Sequence, residues 1–258
     1  MKYQLKTLDD VQYIDEGNGP VLLLLHGLFG ALSNWADVIE EFRKDYRVII
    51  PMMPIYQVNL DDLSVETLAD YIAMFVDKMQ LSDLSVMGNS LGGHVGLVYT
   101  LEHPEKVRTL ILTGSSGLFE SGMGGSFPKR GSMEYIKERV EYTFYDPKTA
   151  TQDLVDEVFE IVNNPKKAIR IIKIARAAQR HNLKVEIRTI QCPTLLIWGL
   201  NDNITPPEVA HEFHRLIPNS ELYFIDHCGH APMMERPKEF NAYLRRFLNK
   251  HLTVSHSF

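Results

Sequence analysis

The feature that most restricts how this chain can fold is a series of short runs that are apolar nearly throughout: Val21–Leu25, Arg47–Ile50, Leu84–Met87, Leu110–Leu112, Thr194–Trp198 and Leu222–Ile225. A strand with no polar alternation has both faces covered, as in a parallel sheet lying between two layers of helices. Helical periodicity fills most of the intervening segments. Val65, Leu68, Ile72, Phe75 and Val76 fall on one helical face, with Ser64 placed to cap its N-terminus. Strand and helix alternating in this way predict a doubly wound α/β sheet. Tyr3–Thr7 and Val11–Glu16 have no helix between them and predict an antiparallel hairpin at the sheet edge, giving eight mostly parallel strands in all.

The alternation stops between Ser115 and Gln191. That stretch opens with glycine-rich loops, Gly114-Ser115-Ser116-Gly117 and Gly122-Met123-Gly124-Gly125. Three helical patterns without a strand follow, around Met133–Phe144, Thr151–Asn163 and Lys166–Arg180. The expected organisation is a sheet domain formed by residues 1–114 and 192–258, with residues 115–191 inserted as a helical cap. The basic residues Lys166, Lys167, Arg170, Lys173, Arg176 and Arg180 are expected to form a solvated cap face.

Composition narrows the function. The 258 residues carry a formal charge of −6, and the pI of about 5.9 argues against nucleic acid as a partner. Two cysteines, Cys192 and Cys228, are too few for a disulfide framework or a four-cysteine zinc site. No apolar run approaches the ~20 residues a membrane-spanning helix needs, and the N-terminus lacks an apolar signal core. The expectation is a cytoplasmic protein, monomer or homodimer, acting on a small molecule without a metal or other cofactor.

The chemistry is concentrated in four loops. Gly88-Asn89-Ser90-Leu91-Gly92 fits G-x-S-x-G between an apolar strand and a helical pattern, the setting in which a tight turn exposes a nucleophilic serine. A serine hydroxyl needs a base, and the base needs an orienting group. His230 lies just past the last strand and Asp202 just past the one before it. Open α/β sheets build their sites at such strand carboxyl ends. The loop Thr113-Gly114-Ser115-Ser116 contains no carboxylate that could replace Asp202. His26-Gly27-Leu28-Phe29-Gly30, after the first core strand, can aim a backbone N–H at a developing oxyanion. Leu28 and Leu91 are the expected donors; His26 is expected to fix its loop. Phe29, Asn89 and Met123 are the expected substrate contacts.

These pieces resemble the α/β-hydrolase fold over nearly the whole chain: His26-Gly27, Gly88-Asn89-Ser90-Leu91-Gly92-Gly93, Trp198-Gly199-x-x-Asp202 with Pro206, and Gly229-His230. The resemblance implies a serine hydrolase with Ser90, Asp202 and His230 as its triad. Asn89 before the serine, Phe144-Tyr145-Asp146-Pro147 and Cys228-Gly229-His230 resemble the carbon–carbon hydrolases of meta-cleavage products; the wider resemblance is to small carboxylesterases and enol-lactonases. Two features depart from the carbon–carbon hydrolases. Ala231 stands where they carry a tryptophan, and Leu154-Val155-Asp156-Glu157-Val158-Phe159 lacks their cap-helix arginine. Pro51-Met52-Met53-Pro54-Ile55-Tyr56 also replaces the D-x-x-G-x-G loop of many relatives. The expected reaction is hydrolysis of a small, largely apolar ester or lactone through an acyl-enzyme. The alternatives are carbon–carbon bond hydrolysis and a non-catalytic small-molecule receptor on the same fold.

Overall fold

A computed structural model describes residues 3–30, 35–121 and 127–252. Eight strands form one sheet: β1 (Lys6–Leu8), β2 (Val11–Glu16), β3 (Val21–Leu25), β4 (Arg47–Pro51), β5 (Leu84–Asn89), β6 (Val107–Thr113), β7 (Thr194–Gly199) and β8 (Ser220–Ile225). Their order across the sheet is β1-β2-β4-β3-β5-β6-β7-β8. β2 runs antiparallel to both its neighbours, and every pair from β4 to β8 is parallel. Every residue of β5 and β7 is buried, which is why their sequences are apolar at successive positions rather than alternating.

The first strand is shorter and later than the sequence pattern suggests. Leu8 pairs with Val11 around a two-residue turn in which Asp9 has φ of 52°, so pairing runs back from the turn only to Lys6. Tyr3 instead docks on α1 (Ala36–Phe42), its hydroxyl donating to the Ala36 carbonyl at 3.3 Å and lying 3.0 Å from Glu40.

Helices cover both faces. α2 (Val65–Lys78) buries Val65, Leu68, Ile72, Phe75 and Val76, and its cap is Ser64, whose Oγ accepts the Thr67 N–H. α3 (Leu91–Glu102) is buried on nearly every side, as a helix apolar all round must be. Between β6 and β7 lie α4 (Met133–Glu141), α5 (Gln152–Asn163) and α6 (Pro165–Arg180), with no strand among the described residues. α7 (Pro207–Leu216), α8 (Pro232–Glu235) and α9 (Pro237–His251) are the remaining α-helices among the described residues.

The basic face of α6 is not simply solvated. Arg170 donates to the carbonyl of Val58, and Lys173 to those of Leu60 and Asp61. Lys167 lies 5.5 Å from the Tyr56 ring centroid. Charge that looked like a surface feature therefore closes backbone acceptors in the loop after β4, acceptors that no periodicity could reveal.

Candidate active site

After β3 the chain moves outward to β4, then returns across β3 to form β5. Their C-terminal ends lie side by side, with Leu25 in register with Gly88. Open α/β sheets form their ligand crevice at such a reversal. A Cβ added to Gly27 would sit 3.4 Å from the Ser90 Cβ, so the loop after β3 lies directly against the serine turn.

Ser90 has φ of 56° and ψ of −121°, a conformation costing about 1–3 kcal/mol for a residue with a side chain. The surroundings impose it. Ser90 N–H donates to the Thr113 carbonyl at 3.2 Å, and the Ser90 carbonyl accepts from His94 N–H at 3.1 Å. The glycines are needed for close approach: a Cβ on Gly88 would meet Gly92 O at 2.3 Å, and one on Gly92 would meet Leu25 O at 2.1 Å. The turn thus presses between two strand ends and leaves the serine side chain on its outer side. Leu91 opens α3, so its N–H has no acceptor within the helix. Leu28 lies in a turn closed by Gly30 N–H on Gly27 O at 3.0 Å. Leu28, Leu91 and Phe29 all line the cavity beside Ser90, and Phe29 packs edge-on to Phe127.

His230 Nδ1 lies 2.9 Å and 3.1 Å from the two carboxylate oxygens of Asp202. A carboxylate only accepts, so Nδ1 carries the proton and Nε2 keeps its lone pair. Asp202 is fully buried and well supplied with donors: the N–H groups of Ile204 and Thr205 at 2.8 and 2.9 Å, and the Thr205 hydroxyl at 2.8 Å. Burial alone would lower the pKa of the His230 imidazole; the Asp202 charge and hydrogen bond, with smaller help from Glu120 and Glu235, outweigh it and leave the pKa raised. This arrangement can take a proton from a hydroxyl and hold the resulting imidazolium.

The two loops are joined to each other and to the helices between β6 and β7. Asn201 N–H donates to Cys228 O at 2.9 Å, and Trp198 Nε1 to Thr205 O at 2.8 Å. His230 N–H donates to Thr143 O at 2.9 Å. Glu235 accepts from Gly229 N–H at 2.7 Å on one oxygen and from Tyr145 and Asp146 N–H at 2.8 and 3.2 Å on the other. One carboxylate therefore ties the histidine loop to the turn that follows α4.

Asn89 lines the cavity, as a substrate contact should. Its amide, however, donates to Thr113 O at 3.0 Å and to His230 O at 3.1 Å. Both N–H donors are thus engaged in holding the Thr113 and His230 carbonyls. Met123 lies outside the described residues. His26 takes the structural part expected of it: Nδ1 donates to Gly27 O at 2.9 Å, and Nε2 accepts Met53 N–H at 3.0 Å. Thr205, Glu235 and Glu120 are the residues sequence reasoning missed. Glu120, in the segment after β6, lines the same cavity as Ser90 and His230. Arg176 and Arg180 are exposed, whereas α6 turns Ala175 and Ala178 toward the cavity. Among the described residues no group of three histidine, cysteine or acidic side chains is placed to hold a metal ion, and no helix is long and apolar enough to cross a membrane.

A strained serine at a strand–helix turn and an imidazole oriented by a buried aspartate, on a doubly wound sheet, define a hydrolase-type site. The chain belongs to the alpha/beta hydrolase fold family, whose sequence profile matches residues 20–237. It is similar to MGS-MChE2, an alpha/beta hydrolase enzyme from the metagenome of lagoon sediments at Mar Chica, Morocco, at 40% identity and a TM-score of 0.79, covering 96% of this chain and 98% of that one. It is 28% identical to the monoacylglycerol lipase ABHD6 of Bos taurus, over 90% of this chain and 76% of that protein. It is equally 28% identical to the 2-hydroxy-6-oxo-6-(2'-aminophenyl)hexa-2,4-dienoic acid hydrolase of Metapseudomonas resinovorans, over 95% of this chain and 90% of that protein.

Proposed function

We propose that the protein is a serine hydrolase of small, largely apolar esters or lactones. Ser90 Oγ attacks the carbonyl carbon while His230 Nε2 takes its proton. The N–H groups of Leu28 and Leu91 receive the oxyanion. As the tetrahedral intermediate collapses, the bond to the leaving oxygen breaks and the imidazolium returns the proton to it. Water, activated by the same imidazole, then releases the acid and restores Ser90. Residues 115–191 act as the cap, with Leu154, Val158, Ala175 and Ala178 supplying apolar walls. The cavity volume of about 120 Å³ is below the ~300–1,000 Å³ of sites for drug-sized ligands, which suits a short acyl group.

The two curated relatives point to different bonds, a glyceride ester and a carbon–carbon bond in a dienoic acid. The observation that favours the ester is the carboxyl of Glu120 in the cavity. A carboxylated substrate would bring a second acid beside it, and like charges in a desolvated site repel. Ala231 occupies cavity wall next to His230, as does Met234. The test is kcat/KM for 4-nitrophenyl acetate and butyrate against a meta-cleavage keto acid on one preparation. The esters are expected to be the better substrates. A keto-acid value ~100-fold higher, ~2.7 kcal/mol of transition-state preference, would replace this reading with carbon–carbon hydrolysis.

A further inference from the structure

Glu120 is a carboxyl group that the hydrolytic steps do not use, yet it lines the same cavity as the serine and histidine. Its position is built. Leu183 N–H donates to Gly117 O at 2.8 Å and the Asn182 amide to Leu118 O at 2.8 Å, anchoring the chain on one side of it. On the other side Ser121 N–H donates to Ile204 O at 2.7 Å, and the Ser121 hydroxyl to Asn203 O at 2.5 Å. The segment is thus pinned both to the end of α6 and to the loop that carries Asp202. The Ser116 hydroxyl is the hydrogen-bond partner of the Glu120 carboxyl, and His230, when it takes up a proton, is the cation whose charge reaches it. The rest of the lining is largely apolar: Leu28, Phe144, Leu154, Val158 and Ile204 among others. Burial in this setting pushes the carboxyl up to about 7 against the pull of His230 and Ser116.

In acyl transfer at Ser90 the imidazole stands beside the leaving oxygen, to which it returns a proton. A carboxyl on the His230 side of the cavity therefore meets the alcohol part of the ester rather than its acyl chain. We infer that Glu120 is a specificity residue that selects leaving alcohols carrying a hydrogen-bond donor, a hydroxyl or a protonated amine, and rejects leaving groups that carry an anion. This inference rests on the ester reading above. An apolar pocket that merely tolerates a hydroxyl discriminates weakly, whereas a half-buried carboxylate has acceptor sites beyond the one Ser116 engages, which reward a donor and repel an anion, so the group makes the site choose.

The test holds the acyl group constant. Propyl butyrate, 2-hydroxyethyl butyrate, 2-(dimethylamino)ethyl butyrate and 2-butyryloxyacetate are compared by kcat/KM at about pH 8, where a carboxyl titrating at about 7 is mostly ionised, each normalised to its rate of hydroxide hydrolysis. The wild type is expected to favour the hydroxyl and ammonium esters over propyl butyrate by about tenfold, the scale of one hydrogen bond to a charged acceptor, and to disfavour the anion. Glu120→Leu should bring the three ratios to propyl butyrate within about twofold of one, whatever it does to the absolute rates. Glu120→Gln should keep part of the hydroxyl preference, because its carbonyl still accepts, while losing the ammonium preference and the rejection of the anion. The glutamine variant carries the test if the leucine variant does not fold. Hydrolysis that depends on Ser90 but has the same ratios in wild type and variants would overturn this inference alone. Absence of turnover on all four esters would overturn it together with the ester reading.

Discussion

The sheet and the helices between β6 and β7 build the same cavity by opposite means. The sheet contributes polar groups whose positions are set by backbone: Ser90 by a strained turn between strand ends, Asp202 by three donors from its own loop, and His230 by carbonyl and N–H contacts on both sides. The helical segment contributes Val140, Leu154, Val158, Ala175 and Ala178, apolar side chains on amphipathic helices whose other faces are exposed. A polar group must be held to within fractions of an ångström to react, and a rigid sheet edge does that. An apolar wall need only exclude water and fill volume, so helices of ordinary surface type suffice. Chemistry and selectivity can therefore change independently in this architecture, except where a residue such as Glu235 or Glu120 links the two regions.

Four substitutions would break or sharpen that contrast. The largest effect is expected at the sheet: Ser90→Ala should lower kcat by ~10⁴–10⁶ while leaving the thermal transition intact. Steady-state rates and a melting curve check it; retention of more than a tenth of the rate would remove Ser90 from the mechanism. Next, Asp202→Asn should lower kcat about 10⁴-fold, because the wrong tautomer of His230 is then held. The same variant tests the sign of the electrostatics. Asp202 raises the His230 pKa and the base must be neutral, so wild-type kcat/KM should fall on the acid side with a midpoint above the ordinary ~6.5. Removing the charge should move that midpoint downward, and an unmoved midpoint would contradict the pairing.

The third prediction concerns the seam between the regions. His94 on α3 is fully buried, and its Nε2 lies 3.0 Å from Nδ1 of His181 at the end of α6, the rings stacked. Burial, with the His181 charge, pushes the His94 pKa down to about 3. Between that value and ~6.5 the unfolded chain binds the extra proton, so acid should remove stability by about 1.4 kcal/mol per pH unit below 6.5. Urea unfolding at several pH values should show a shallower slope for His94→Gln than for wild type; equal slopes would sink the assignment. The smallest effect is expected in the helical wall. Val158→Ala should raise KM roughly three- to tenfold with a smaller change in kcat, since it widens a pocket without touching reacting groups. A fall in kcat larger than the rise in KM would mean that the helices also position the chemistry.

The legibility of each region follows from the range of the forces that shape it. Apolar runs such as Val21–Leu25 and Thr194–Trp198 announced a two-sided sheet because burial on both faces is written into consecutive residues. Ser64 announced its helix because a cap acts three residues away. Ser90 was readable because the turn needs small neighbours at fixed spacing, and Gly88 and Gly92 are local. The first strand was misplaced because Tyr3 answers to α1, more than thirty residues on. The glutamates show the limit most clearly. Glu120 and Glu235 sit in sequence among unremarkable loop and helix residues, and nothing nearby marks them.

The sequence by itself determined the layered sheet and singled out Ser90, Asp202 and His230 as the candidate nucleophile, acid and base, because each reading depends on residue type within a few neighbours. Only the tertiary structure decided what surrounds them. It decided that Asn89 spends its amide on the His230 backbone, that Arg170 and Lys173 close carbonyls after β4, and that a glutamate from the segment after β6 lines the same cavity as the imidazole. Those contacts join residues tens to more than a hundred positions apart. Desolvation and charge act through space, so their partners are chosen by the packed fold and not by spacing along the chain.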